Sequence, residues 1–281
     1  MSEKARCLGI LAGGGPLPGQ VARAALRRGQ PVFMVAFQDF ADAEVIEPFS
    51  HEVIRLAAAG QILQALRRHE CRELVLIGPV RRPSLRDLRP DAEGARILAR
   101  IGRELFGGDD GLLGALVRVL GEEGFVVRGA HEFLAEAVAG TGTLGRIVPD
   151  GLALSDIGRG VAVVRALGAL DVGQGCVVQD GLVLAVEALE GTDRMLERAA
   201  LLRQPGPGGV LVKLVKPGQE RRADLPTIGP RTLENAAAAG LRGVAVEAGG
   251  TLLTDRAGCI ATADGAGLFL VGIDIENGAA R

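Results

Sequence analysis

Along the first half of the chain, apolar runs of strand length alternate with stretches whose apolar positions recur every three or four residues. Cys7–Ala12, Pro31–Phe37, Glu52–Leu56 and Glu73–Ile77 read as strands, the last stopped by Gly78-Pro79. Leu17–Arg28, ended by Gly29, reads as a helix, as does Gln61–His69 with Ile62, Leu63 and Leu66 on one side. Asp91–Leu105 and Asp110–Leu120 read as two more helices, with Asp109 and Asp110 where N-cap residues belong, and Gly124–Arg128 as a further short strand. Strands that alternate with helices predict a parallel sheet covered by helices.

Between Ala135 and Ser155 the pattern weakens, because Gly140, Gly142, Gly145, Pro149 and Gly151 interrupt it. Ser155 or Asp156 then suits the cap of a helix running to about Gly168. Beyond it, Gly175–Val178, Leu182–Glu187, Val210–Val215, Val244–Glu247 and Leu268–Ile273 have strand character, and Asp193–Leu202 and Arg231–Ala239 helix character. The expectation is an α/β chain in two parts: a Rossmann-like parallel-sheet domain over residues 1–134, a linker over 135–153, and a second α/β domain over 154–281.

Composition narrows the function classes. The chain has 281 residues, 48% of them hydrophobic, with a formal net charge of −2. A general nucleic-acid binder is basic, and aromatic residues, at 3% with no Trp or Tyr, leave little for base stacking, so nucleic acid is not an expected partner. Cys7, Cys71, Cys176 and Cys259 are scattered without a CxxC pair, and His51, His69 and His131 add no zinc spacing, so buried free thiols in a reducing cytosol are expected. No window approaches the ~18 apolar residues of a membrane span, and Lys4, Arg6 and the short run after them do not make a signal segment.

Candidate chemistry sits at strand ends. Gly13, Gly14 and Gly15 follow the first strand and open a helix, an arrangement that lets backbone N–H groups and a helix N-terminus cradle a phosphate; a tight structural turn uses the same residues. Pro18 stands where the third glycine of a dinucleotide fingerprint belongs. Arg81 and Arg82 follow the fourth strand, at the end of a parallel sheet where ligands bind, and can hold a diphosphate or a uracil edge. Gly107-Gly108-Asp109-Asp110 and His131 admit both structural and site readings. In the second half, Glu187, Glu190 and Asp193 can meet one Mg²⁺ with Asp224, since oxygen ligands suit that ion; Thr192 or Asp193 can equally cap a helix. Lys213, Lys216, Arg221 and Arg222 crowd the segment leading to Asp224, which suits a phosphate ester beside a group that orients water or a metal; a solvated turn is the plainer alternative.

Taken in order, Gly9–Pro18, Arg82-Pro83, Gly108-Asp109-Asp110, Gly129–Glu132, Asp171–Gly175, Glu190–Asp193 and Asp224–Gly229 resemble LpxI-type UDP-2,3-diacylglucosamine pyrophosphatases over nearly the whole chain. The resemblance implies a cytoplasmic enzyme of lipid A synthesis. It would use Mg²⁺ to hydrolyse UDP-2,3-diacylglucosamine to UMP and 2,3-diacylglucosamine 1-phosphate between two clamping domains, with water attacking the β-phosphorus. It also implies a catalytic aspartate in the Asp-Leu-Pro-Thr-Ile-Gly motif, here Asp224. It leaves room for peripheral contact with the inner membrane and for a homo-oligomer. The other roles are read from chemistry. Asp224, Glu190 and Asp193 would hold the metal, and Lys213 and Lys216 would stabilise developing negative charge. Gly13, Gly14, Gly15, Arg82, Gln174, Thr192 and Thr227 would contact substrate. Two other classes fit parts of the pattern: a nicotinamide-dependent oxidoreductase, with Asp39 near the ribose position but Pro18 against it, and a non-catalytic lipid or nucleotide carrier.

Overall fold

The computed structural model describes residues 6–81, 89–102, 104 and 109–275. They fall into two compact units. One holds the chain to Ala135 together with Glu220–Asp224, and the other holds Glu136–Gln219 and the chain from Leu225.

In the first unit β1 (Leu8–Ala12), β2 (Val32–Phe37), β3 (His51–Ile54), β4 (Glu73–Ile77) and β5 (Val126–Val127) form one parallel sheet in the order β3-β2-β1-β4-β5. All five residues of β1 are buried, as a central parallel strand covered on both faces requires. Its register places Leu8 beside Val32 and Glu73, and Ala12 beside Ala36 and Ile77. Around the sheet run α1 (Leu17–Arg27), α2 (Ala43–Ile46), α3 (Ala59–Arg68), α4 (Ala92–Ile101), α5 (Asp109–Glu122) and α6 (Ala130–Phe133). α3 buries Ile62, Leu63 and Leu66, the residues that the spacing picked out, in a core with Phe33, Val35 and Leu74. This is the expected Rossmann-like parallel sheet. α4 ends sooner than expected, at Ile101, because Gly102 turns into the left-handed region at φ 66°. Its start is fixed by Asp91, whose two carboxylate oxygens accept from Gly94 N at 2.7 Å and Gly60 N at 2.9 Å. α5 already begins at Asp109, and Gly107 and Gly108 lie outside the described residues.

The second unit is also α/β. Its elements are β6 (Gly142–Thr143), α7 (Gly151–Ala169), β7 (Gly175–Gln179), β8 (Leu182–Val186), α8 (Gly191–Leu201), β9 (Val210–Lys213), β10 (Thr227–Ile228), α9 (Pro230–Ala238), β11 (Gly243–Glu247), β12 (Leu252–Leu253), α10 (Arg256–Ala266) and β13 (Phe269–Ile273). The main sheet has the order β6-β13-β11-β9-β7-β8, in which β9, β11 and β13 are parallel and β7 runs against β9 and β8. The C-terminal ends of β8, β9, β11 and β13 therefore share one edge with the start of β7. Side chains alternate between two cores: Leu211, Val244, Val246 and Leu270 pack with α8, α9 and α10, whereas Val210, Val212, Ala245 and Val271 pack with α7. β10 and β12 form a separate parallel pair.

Three expectations change here. The stretch read as a linker joins the second unit from Glu136 onward: β6 pairs with β13 and Val138 bridges Leu252. A two-residue strand is too short to leave a hydrophobic period. α7 begins at Gly151 rather than near Ser155, and Asp150 is its cap, accepting from Ala153 N at 2.9 Å; that bond, with Arg242, holds the Asp150 carboxyl below the usual range. Asp156 instead lies inside the helix, 2% exposed, and its carboxylate accepts from Asp180 N at 3.1 Å and Gly181 N at 2.7 Å in the β7–β8 turn. α10, which no periodicity announces, is bounded by local chemistry: Asp255 accepts from Gly258 N at 2.9 Å and Gly267 follows at φ 74°.

The four cysteines are free, Cys7 half-buried and the others buried. Desolvation pushes the Cys176 thiol up to about 12 and the Cys259 thiol up to about 11, so both stay protonated at neutral pH. No helix among the described residues is long and apolar enough to cross a membrane.

Replacing Asp156 by Ala removes the buried carboxylate to which two N–H groups of the β7–β8 turn donate. We expect a loss of about 2 kcal/mol in unfolding free energy by urea titration, with Asp156→Asn losing less because one acceptor remains.

Candidate functional site

A buried polar cluster of the second unit lies where β8 and β9 end. Lys213 is the last residue of β9, and only 5% of it is exposed. Its Nζ donates to Thr192 Oγ1 at 2.6 Å and meets Glu187 Oε1 at 3.4 Å; the Thr192 hydroxyl in turn donates to the same Glu187 oxygen at 2.6 Å. Glu187 follows β8, and Thr192 is in the first turn of α8, so the three side chains tie two strand ends to a helix start. Both charged side chains are more than nine-tenths buried, at 6% and 8% exposed. Burying such a pair roughly breaks even, whereas leaving one charge unpaired costs about 3–5 kcal/mol. Two further buried acceptors beside this edge, Glu187 Oε2 and Gln174 Oε1, have no hydrogen-bond partner among the described residues.

The glycines around Gln174 make this packing feasible. A Cβ on Gly173 would lie 2.0 Å from the Glu187 carbonyl oxygen, and one on Gly175 2.6 Å from Glu187 Oε2. The Asp171–Gly175 motif is thus, at the level of sterics, a seat for Glu187. Gln174 contributes its backbone carbonyl, which accepts from Leu214 N at 3.0 Å.

Lys216 also carries a counter-charge, its Nζ donating to Asp171 Oδ1 at 2.6 Å, and its N–H is held by Gln219 Oε1 at 2.9 Å. The two lysines that looked like bare cations in the chain are therefore balanced by acids from other segments, Glu187 and Asp171. Arg222 is likewise matched, to Glu220, and holds that carboxyl below the usual range. Thr227 opens β10 and its hydroxyl donates to Leu225 O at 3.0 Å. Asp224 is half-buried and closes a turn in which its N–H and that of Ala223 donate to Glu220 O. With Glu220–Ala223 it groups with the first unit, and Ala223 packs on that unit's core.

The carboxylates named for Mg²⁺ are engaged elsewhere. Glu190 pairs with Arg198, and a bond from its own backbone N–H together with that arginine holds its carboxyl below the usual range. Asp193 accepts from Asn235 Nδ2 at 2.9 Å and faces Arg231 at 3.4 Å. Neither Thr192 nor Asp193 caps α8: the N-cap position is Glu190, whose side chain makes no capping bond. Among the described residues no three His, Cys, Asp or Glu side chains gather as a metal site would require. This donor set does not fit a preformed cage.

In the first unit the glycine loop spends its donors internally. Gly13 N bonds Ile77 O at 2.9 Å, Gly14 N bonds Pro79 O at 3.1 Å, and Gly15 N bonds Asp42 Oδ2 at 2.7 Å. A Cβ on Gly13 would sit 2.4 Å from Gly78 O, so the glycines let the ends of β1 and β4 touch. These contacts fit a tight turn, with the Asp42 carboxylate accepting the Gly15 N–H. Arg82 lies outside the described residues. His131 Nδ1 is buried with no partner among the described residues, while Glu132 pairs with Arg128 and accepts from Gly129 N at 2.7 Å, a structural cap.

Sequence reasoning weighed Glu187 only as a metal ligand, and missed Asp171 and Asp42 as partners. Strand alternation flagged none of them, because each acts across elements distant in the chain. We expect Gly173→Ala to lower the melting temperature by several degrees, whereas Gly158→Ala, a helical position with open space around it, leaves it unchanged or raises it. Thermal denaturation of the two variants side by side checks the comparison.

Comparison with known proteins reaches both units. The LpxI N-terminal domain model matches residues 7–137 and the LpxI C-terminal domain model residues 140–271. A protein of Caulobacter vibrioides named UDP-2,3-diacylglucosamine pyrophosphatase LpxI is 42% identical over 275 residues, covering 96% of this chain and 98% of that protein. With both domains present in order over nearly the full length, the chain belongs to the LpxI family.

Proposed function

We propose that this protein hydrolyses the diphosphate of UDP-2,3-diacylglucosamine, releasing UMP and 2,3-diacylglucosamine 1-phosphate for lipid A synthesis. The observation that carries the reading is the match to the Caulobacter enzyme of that name, 42% identical over 96% of this chain. A nucleotide-sugar substrate places the reaction in the cytoplasm. An acylated substrate and product favour peripheral contact with the inner membrane. Nothing specific supports the oxidoreductase or carrier readings against this match.

Hydrolysis adds water across one P–O bond of the diphosphate: the attacking oxygen joins phosphorus, the bridging oxygen leaves with the other product, and a proton is released. Such transfers depend on positioning and on neutralising charge at the phosphoryl oxygens. In this reading Asp224 orients the attacking water and takes up its proton. It lies in the Asp-Leu-Pro-Thr-Ile-Gly segment that the family resemblance singles out. Lys213 and Lys216, each beside its acid partner, offer ammonium donors to the phosphoryl oxygens at the end of β9 and just beyond it. Gln174, Thr192 and Thr227 stand on the same unit as candidate substrate contacts.

Mg²⁺, in this reading, arrives on the substrate. That ion is commonly held by substrate phosphates and one or two carboxylates, with the remaining positions filled by water. This agrees with Glu190 and Asp193 being paired to nitrogen groups.

Incubation with UDP-2,3-diacylglucosamine and Mg²⁺ should yield UMP, and Asp224→Ala should lower kcat by about 10³-fold or more in a variant that still folds by circular dichroism. A variant that retains near wild-type kcat removes Asp224 from the chemistry. EDTA should abolish turnover and added Mg²⁺ restore it, while Mg²⁺ alone leaves the melting temperature of substrate-free protein unmoved. A rise of several degrees with Mg²⁺ alone would instead indicate a resident ion.

A further inference from the structure

The Glu187 carboxylate is built into the fold with care, and the reading above gives it no task. Its Oε1 collects two donors, the Thr192 hydroxyl at 2.6 Å and the Lys213 ammonium at 3.4 Å. Its Oε2 is sealed from water with no partner among the described residues, pressed against a glycine whose Cβ would come within 2.6 Å. A carboxylate that served only to stabilise the unit would be expected to satisfy both oxygens, since buried polar atoms nearly always do. An apolar pair of similar volume would close the same gap at no greater cost. What the arrangement achieves instead is position: Lys213 is pinned from two directions at the C-terminal end of β9, the edge where open α/β sheets place ligands.

We infer that Glu187 is a positioning residue for the hydrolytic reaction, holding the Lys213 ammonium in place both directly and through the Thr192 hydroxyl. The inference rests on the proposed pyrophosphatase activity. It departs from the metal-ligand role that acids in this region suggest, because the neighbours of Glu187 are an ammonium and a hydroxyl rather than other acids. Gln174, whose Oε1 has no partner among the described residues, is a further polar side chain beside this edge.

The test is a cycle of E187Q, K213M and the double variant, with T192V alongside. Each is assayed for kcat and KM on UDP-2,3-diacylglucosamine and for melting temperature. If Glu187 acts through Lys213, E187Q lowers kcat by about 10²-fold, the scale of a small misplacement, with KM within about twofold. The double variant is then no slower than K213M alone, and T192V falls in the same direction as E187Q. Should E187Q fold poorly because it leaves the ammonium unpaired, the double variant, which removes both charges, keeps the comparison with K213M available. E187Q with wild-type kcat overturns the inference, as do losses that multiply in the double variant, or a rise in KM that accounts for the whole effect. Wild-type protein in the same assay separates the two levels: turnover by wild type with unaffected E187Q defeats only the Glu187 assignment, whereas no UMP from wild type defeats the activity reading as well.

Discussion

An ammonium withdrawn from water has to be met by opposite charge, and the second unit is organised around meeting that demand for Lys213. The lysine ends a strand whose other residues are fully buried, so its side chain cannot escape to solvent without unmaking β9. Glu187 and Thr192 come to it from the ends of two other elements, β8 and α8. Positions 173 and 175 then have to be small, because the Glu187 backbone crowds Gly173 and its carboxylate crowds Gly175. One electrostatic requirement thus propagates into strand ends, a helix start and a glycine motif.

The first unit obeys a different constraint. Parallel strands must be joined by crossovers, so every β-to-α connection emerges at the same edge of the sheet. Two of those connections collide: Gly13 and Gly78 meet almost backbone to backbone where β1 and β4 diverge. The N–H groups that a phosphate would want are consumed in bonds to Ile77, Pro79 and Asp42. Glycine-rich turns of this kind read identically in sequence whether they serve a ligand or the sheet. Here the hydrogen-bond partners, supplied by distant residues, show what the turn does for the sheet.

Charge behaves the same way. Read along the chain, Lys213, Lys216, Arg221 and Arg222 surround Asp224, and an unbalanced basic segment is the natural conclusion. Folded, Glu187 and Asp171 take up the two lysines and Glu220 takes Arg222. Glu190 and Asp193, close in sequence and plausible as a metal pair, turn to Arg198 and to Asn235 and Arg231. Short-range spacing brings acids together on paper, but a carboxylate goes to whichever cation or amide the fold places nearest.

What the chain by itself determined is the part written in local physics. Hydrophobic runs of strand length and helical stripes such as Ile62, Leu63 and Leu66 located most strands and helices, and their alternation the α/β class. The ordered motifs pointed to the same family as the two domain matches. Short elements escaped, since β6 and β12 span two residues each and α10 has no apolar stripe. Only the tertiary structure decided which acid meets which base, which glycines are steric necessities, and that Glu136–Asp150 belongs to the second unit, tied to it through Val138 and β6. These are properties of residues far apart in the chain, and a hydrogen bond or ion pair across such a gap leaves no periodicity to read.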